Sequence, residues 1–316
     1  MKKTKVFIDG AEGTTGLRIN ERFEKRDDIE VIAIDPDLRK DPAERKRMIN
    51  ESDYTFLCLP DAAAREAVAL CDDPDTVIID ASTAHRTDEG WAYGLPELSP
   101  EHFEKIANSK RIAVPGCYAS GFIMMAYPLV KAGVLSSDYP FTIPAVSGYS
   151  GAGKKAIALY EAPDKAKDLF APREYALSQM HKHLPKMKVI TGLDREPVFM
   201  PIVDDYYCGM IVMLPIHTQL MAKKTGPEEL RDLLAEHYKG QVFVRVKEFG
   251  AESEKNGFLP ANDMADVDYA DIYVTGNDDR IVISAVFDNL GKGASGAAIE
   301  CLNISMGIDP ATGLVV

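Results

Sequence analysis

The chain lacks most of what marks a metal, disulfide, membrane or nucleic-acid protein. Its 316 residues hold five cysteines, at 58, 71, 117, 208 and 301, an odd count with no C-x-x-C spacing. A disulfide framework and a cysteine-based metal site therefore both lack their pattern, and no metal is expected. The expected compartment is reducing and cytoplasmic. No apolar run reaches the ~20 residues that span a bilayer, so no membrane partner is expected. The start, Met1-Lys2-Lys3-Thr4, is basic, but the apolar residues after it run straight into Asp9-Gly10. That is too short for the core of a secretion signal and suits a buried first strand. Excess positive charge is missing as well. Lys and Arg total 36 against 49 Asp and Glu, a net charge of −13, which disfavours nucleic acid and anionic membranes as partners. Repeats, low-complexity tracts and long linkers are absent.

What is present is an ordinary globular composition, 46% hydrophobic and 27% charged, long enough for one large or two ordinary domains. The first 115 or so residues alternate strand-like runs (Lys5–Asp9, Ile29–Ile34, Tyr54–Leu59, Thr76–Asp80, Arg111–Val114) with helical patterns beginning near Leu17, Pro42 and Ala62. Such alternation predicts a parallel sheet covered on both faces. From Phe141 the texture becomes β-rich, with strand-like runs at Phe141–Val146, Met187–Ile190, Val198–Ile202, Gly209–His217, Gln241–Val246, Asp271–Thr275 and Arg280–Phe287. Mixed or antiparallel pairing is expected there. A last amphipathic stretch, Ser295–Ile308, reads as a helix returning to the first domain. The predicted fold is an α/β Rossmann-type dinucleotide-binding domain plus a second α+β domain with a mixed or antiparallel sheet.

The segment Gly10-Ala11-Glu12-Gly13-Thr14-Thr15-Gly16 follows the first strand and opens a helix. Glycines at that junction let the backbone turn tightly and approach a pyrophosphate, whose charge the helix N-terminus stabilises. The plain alternative is a turn needed only for packing. After the second strand come Asp35 and then Arg39-Lys40. An acid there suits the ribose hydroxyl of NAD, and the cations suit the 2′-phosphate of NADP. The two cations favour NADP(H). The third strand ends at Cys58-Leu59-Pro60, where Pro60 is expected to flank the nucleotide and Cys58 to be buried filler.

Pro115-Gly116-Cys117-Tyr118-Ala119-Ser120-Gly121 lies between a strand-like run and a long helix-compatible run. A cysteine at that turn sits at the positive end of a helix dipole, where a nucleophilic thiolate is favoured. Three loops around it suit anions or hydrogen bonding: Ser82 and Arg86 in Asp80–Arg86, the rigid Tyr93–Leu98, and Ser147–Lys155 with Ser147, Ser150 and Lys154. A thiol nucleophile needs an acid or base partner. His181-Lys182-His183 is the one close pair among six histidines, with His85 a weaker alternative and His217 expected to be structural.

These segments, together with Tyr93-Gly94-Leu95-Pro96-Glu97-Leu98 and Asp288-Asn289-Leu290-Gly291-Lys292-Gly293, resemble the shorter form of the N-acetyl-gamma-glutamyl-phosphate reductase family. They occur in family order over nearly the whole chain. The wider relatives are the aspartate-semialdehyde and glyceraldehyde-phosphate dehydrogenases. The resemblance implies NADP-dependent reduction of N-acetyl-glutamyl 5-phosphate to N-acetyl-glutamate 5-semialdehyde, with phosphate released, in arginine biosynthesis. It implies Cys117 as nucleophile, a catalytic histidine at His181 or His183, and Asn289 and Gly291 near the cofactor. It also implies a homo-oligomer, dimer or tetramer. The expected division is a cofactor domain over 1–117, completed by a helix over about 290–316, and a catalytic and dimerisation domain over 118–289. Two departures stand out: Lys186 where many members carry Glu, and Val114 where many carry Asn. The alternatives are another thiol-dependent reductase acting on aspartyl or aminoadipyl phosphate, a non-catalytic NADP-binding redox sensor, and a thiol hydrolase, which leaves the glycine turn unused.

Overall fold

The computed structural model describes residues 3–316; Met1 and Lys2, part of the basic start and of the expected 1–117 domain, lie outside the described residues. The chain forms two compact units. One comprises the residues up to Gly116 and Ala294–Leu314, the other Cys117–Gly293 and Val315–Val316.

The first unit runs β1 (Thr4–Asp9), α1 (Thr14–Phe23), β2 (Ile29–Ile32), α2 (Pro42–Glu51), β3 (Tyr54–Leu57), α3 (Asp61–Ala69), β4 (Val77–Asp80), β5 (Ala92–Tyr93), α4 (Pro100–Asn108) and β6 (Arg111–Ala113). Its six strands form one parallel sheet in the order β2-β1-β3-β4-β6-β5. Successive strand residues point to opposite faces. Val6, Ile8, Phe56, Ile79 and Ile112 join Ile19, Phe23 and Ile106 of α1 and α4 on one side. Phe7, Leu57 and Ile78 join Met48, Ile49, Ala64 and Ala67 of α2 and α3 on the other. Apolar strands with no polar alternation follow from burial on both faces. The helix starts are written locally. Asp41 accepts from the N–H of Glu44 before Pro42, and Ser99 accepts from that of His102 before Pro100.

The second unit runs α5 (Cys117–Lys131), β7 (Thr142–Gly148), α6 (Lys154–Tyr160), β8 (Arg173–Glu174), α7 (Leu184–Thr191), β9 (Val198–Asp204), β10 (Met210–His217), α8 (Pro227–His237), β11 (Val244–Val246), β12 (Ala270–Gly276) and β13 (Arg280–Phe287). The sheet order is β11-β12-β13-β10-β7-β9-β8. Pairing is mixed: β12, β13, β10 and β7 are antiparallel in turn, β7–β9 and β11–β12 are parallel, and β8–β9 is antiparallel. Helix α5 lies on one face, with Gly121 against Val212 and Phe287. Ile211, Tyr273, Val286 and Met264 pack on the other. The chain leaves this unit through a single π-helical turn, Gly291–Ser295, and α9 (Gly296–Ser305) rejoins the first. There Ala297, Ala298, Ile299, Leu302 and Ile304 enter the same core as Phe56.

One expectation is corrected. Met187–Ile190, read as a strand from its β-branched end, lies inside helix α7. Pro185 occupies the first turn, where its missing N–H costs nothing, and Gly192 at φ 74° closes the end. These flanking signals outweigh the weak strand preference of Val189, Ile190 and Thr191.

Candidate active site

In the first unit, strand order reverses between β1 and β3, and the loops after these strands border the crevice where such sheets take ligands. Gly10 there has φ 89°, and a Cβ on it would stand 2.4 Å from the carbonyl oxygen of Cys58. Only glycine fits. The Gly13 N–H donates to the Gly10 carbonyl at 3.0 Å, and Gly13 caps α1 with no side chain of its own. Thr15 and Gly16 complete the first turn. The hydroxyl of Thr14 is buried with no hydrogen-bond partner. An uncapped helix start with an orphaned hydroxyl beside it fits a phosphate group, which a turn built only for packing does not need. Cys58 is desolvated and close to Asp80 and Asp9, which push its thiol up to about 12, so it is inert at neutral pH.

Arg39 bonds Glu12 of the glycine turn at 2.5 Å on an exposed surface. Asp35 lies three residues beyond β2 and accepts from the Asp37 N–H in a local turn, with Lys40 exposed nearby in sequence. Pro60 caps α3. Ser82 is buried, donates to Asp80 and accepts from the Ala84 N–H. Arg86 is buried too, donating Nε to the Val114 carbonyl at 2.7 Å and Nη2 to that of Ala81 at 3.0 Å. It braces the end of β6. Val114, one of the two departures, is an apolar core residue. His85 is held by Asp80 at 2.7 Å and stacked on Trp91, within the first unit.

In the second unit, Cys117 is the first residue of α5. It lies so close to Gly293 that a Cβ on Gly293 would stand 2.7 Å from the Cys117 Cβ. Tyr118, the next residue, is buried and surrounded by rings: His181 at 6.2 Å, His183 at 6.1 Å, Tyr175 at 6.3 Å and Phe199 at 5.2 Å between centroids. Burial first, then the neighbouring Tyr175 and Cys117, holds the Tyr118 hydroxyl well above its ordinary range. The histidine pair thus clusters around the residue that adjoins the thiol. Tyr118, Tyr175 and Gly293 were not singled out from sequence; the one signal for Tyr118 was its adjacency to Cys117.

The two histidines differ. His183 is buried and caps α7, and its N–H donates to Nδ1 of His181 at 3.2 Å. His181 is half-buried. Desolvation, then Lys182 and Lys186, pulls its imidazole down to about 4. Lys186, the other departure, is buried and donates to the Lys182 carbonyl at 2.6 Å. The imidazole of His181 is accordingly neutral at pH 7.

The loop 147–155 is partly committed. Asn289 donates to the Ser150 hydroxyl at 2.9 Å and accepts from the Gly209 N–H at 2.8 Å, so its amide brackets two loops. Ser147 donates to the Gly148 carbonyl. Lys154 opens α6 as an exposed cation. Gly291 approaches the carbonyl of Val267. Elsewhere Cys208, Asp266 and Asp288 bring possible ligand atoms within 4.8 Å of one another. Both Asp288 oxygens already accept backbone N–H groups, from Asp266 and Leu290.

A family model described as the semialdehyde dehydrogenase dimerisation domain matches residues 117–289, and the corresponding NAD-binding domain matches 35–106. An N-acetyl-gamma-glutamyl-phosphate reductase 2 of Nostoc sp. is 43% identical over 99% of this chain and 100% of its own length. One from Pseudomonas putida is 43% identical over 96% of each chain. The chain belongs to the N-acetyl-gamma-glutamyl-phosphate reductase family. As a member of that family it is an oxidoreductase of amino-acid biosynthesis using a nicotinamide dinucleotide. Aspartate semialdehyde dehydrogenase II of Vibrio cholerae has the same fold, with a TM-score of 0.73 at 16% identity, covering 97% of this chain and 99% of that one. The enzyme from Francisella tularensis gives a TM-score of 0.72 at 15% identity, covering 95% and 99%. Among the described residues, no helix is long and apolar enough to cross a membrane.

Proposed function

We propose that this member of the reductase family converts N-acetyl-glutamyl 5-phosphate to N-acetyl-glutamate 5-semialdehyde and phosphate with NADPH, in arginine biosynthesis. The observation that carries the reading is the full-length likeness to reductases of that name, 43% identical over 99% of the chain. The first unit binds the dinucleotide through Gly10–Gly16, with Thr14 and the start of α1 at the pyrophosphate. Arg39 and Lys40 receive the 2′-phosphate of NADP. When bound, the nicotinamide supplies the hydride that lowers the acyl group to the aldehyde level.

The chain's own residues do the rest. The Cys117 sulfur attacks the acyl carbon; the S–C bond forms, the C–O bond to phosphate breaks, and phosphate leaves with its electron pair. At the aldehyde level the carbon bears an alkoxide, which collapses, breaking the S–C bond and returning the thiolate. Backbone N–H groups at the start of α5 and the Nε2–H of neutral His181 stabilise the oxygen while it is negative. No proton need leave the imidazole, so its low pKa is an asset. Lys154 holds the anionic end of the substrate, Ser150 of the same loop is buried and tied to Asn289, and Arg86 holds the Val114–Pro115 turn. The protein works as a cytoplasmic homodimer or tetramer.

The decisive assay is NADP reduction with N-acetyl-glutamate 5-semialdehyde and phosphate. Wild type turns over, and Cys117→Ser loses roughly a thousandfold or more. Turnover confined to aspartate semialdehyde, or full activity in the serine variant, refutes the proposal.

A further inference from the structure

Strand β8 stops after two residues. Arg173 pairs with Val203 and Glu174 with Ile202 of β9, and the Tyr175 N–H donates to the Pro201 carbonyl at 3.1 Å. The chain then leaves the sheet edge. Ala176 and Gln179 take left-handed backbones, φ 53° and 56°, and the Gln179 N–H closes the turn on the Ala176 carbonyl. Neither residue has the short polar side chain or the missing Cβ that makes this region cheap. Leu177 and Met180, the apolar residues of the turn, are 72% and 84% exposed, so core burial does not hold it.

The Gln179 side chain does. Its Nε2 donates to the Phe199 carbonyl at 2.7 Å, and its Oε1 accepts from the Phe199 N–H at 2.9 Å. Phe199 lies two residues before Pro201 on β9, where the next rung of an edge ladder falls. The carboxamide, with the donor and acceptor of a peptide, supplies that rung in place of a main-chain group. Phe199 in turn packs its ring 5.1 Å from His181 and 5.2 Å from Tyr118. His181 follows Gln179 by two residues.

We propose that Gln179 is a positioning residue for the reaction: its carboxamide extends the sheet by one rung, anchors the left-handed turn, and thereby aims His181 at the acyl oxygen on Cys117. The inference rests on His181 being the oxyanion donor of the proposed function. A strained, side-chain-clamped turn is a costly way to join a strand to a helix, and it is found here immediately before that donor.

The test uses the full-length enzyme with Gln179→Met, which keeps length and bulk but not the two bonds. Gln179→Gly loses the same bonds while relieving the left-handed backbone. Histidine Cε1–H resonances, assigned with His181→Asn, report the imidazole. The titratable groups around it are Tyr118 from α5, Tyr175 from the turn, Lys182, and His183 and Lys186 at α7. Both variants should lose kcat by about tenfold or more, as expected for a displaced catalytic group, with the KM for NADPH unchanged. Release of the turn into water should move the His181 titration up from about 4 towards 6.5. In Gln179→Gly the melting temperature should stay near that of wild type while kcat still falls. Wild-type kcat in both variants overturns the inference. So does a loss of kcat that only follows the melting temperature while the titration stays in place. Full activity in His181→Asn instead overturns the assignment of His181 itself, whatever the Gln179 variants do.

Discussion

The main-chain N–H of His183 donates to Nδ1 of His181 at 3.2 Å. A neutral imidazole accepting at Nδ1 carries its proton on Nε2. His181 therefore keeps its Nε2–H as a donor, the group that the proposed reaction uses, and His183 supplies the bond that sets the tautomer. The two histidines of the motif are thus not equivalent.

Replacing them should show the difference. His181→Asn should lower kcat by roughly a hundredfold, the usual scale for an oxyanion donor, with cofactor affinity unchanged. His183→Asn keeps its backbone N–H and should lose less activity and more stability, because its ring is buried at the start of α7. Steady-state kinetics and thermal melts on both variants check this, and equal losses of kcat would contradict it.

Lys186 is buried, and its charge helps hold the His181 pKa down to about 4. Lys186→Glu should raise that pKa, since a neighbouring anion favours imidazolium. The acid limb of the pH–kcat profile should shift upward with it. Lys186→Met, which removes charge without reversing it, should give a smaller shift in the same direction.

The depressed pKa also has a stability consequence with a definite sign. Between about 4 and 6.5 the native His181 is neutral while the unfolded one is protonated, so the unfolded state binds more protons. Its contribution to stability is complete above pH 6.5 and is lost as pH falls towards 4. Urea unfolding at pH 7 and pH 5 should show a larger loss on acidification for wild type than for His181→Asn.

Glu12 and Arg39 are bonded to each other across the glycine turn and the loop after β2. Arg39→Ala should weaken NADPH binding about tenfold, the equivalent of one charge-assisted hydrogen bond, and leave NADH binding unchanged. Glu12→Gln should tighten NADPH a fewfold by removing the competing carboxylate. Equilibrium dialysis with each nucleotide decides; parallel losses for NADPH and NADH would sink the role of Arg39.

Gly293→Ala would place a methyl 2.7 Å from the Cys117 Cβ. The nucleophile must then move, and kcat should fall by up to about a hundredfold. The rate of Cys117 alkylation by iodoacetamide should change alongside it, while NADPH affinity should not.

Local chemistry made much of this protein legible in its residues. Strand–helix alternation up to Val114 implies a parallel sheet because neighbouring residues such as Val6 and Phe7 must both be buried, on opposite faces. The run from strand through Gly10 to Gly16, and Cys117 opening a long helix, are likewise written in consecutive residues. Short-range reading failed at Met187–Ile190, where Pro185 and Gly192 outweighed a β-branched run. It passed over Tyr118, Tyr175 and Gln179, whose importance lies in what they touch.

By itself, then, the sequence determined the fold class and the family and pointed to Cys117 as the candidate nucleophile, since each rests on neighbours in the chain or on motifs in order. Tertiary structure alone showed that the two histidines differ in burial and bonding, that Lys186 helps lower the His181 pKa, and that Gly293 must be small beside Cys117. Those facts depend on burial, which changes a side chain's charge without changing its identity, and on approaches between distant residues such as Gly293 and Cys117.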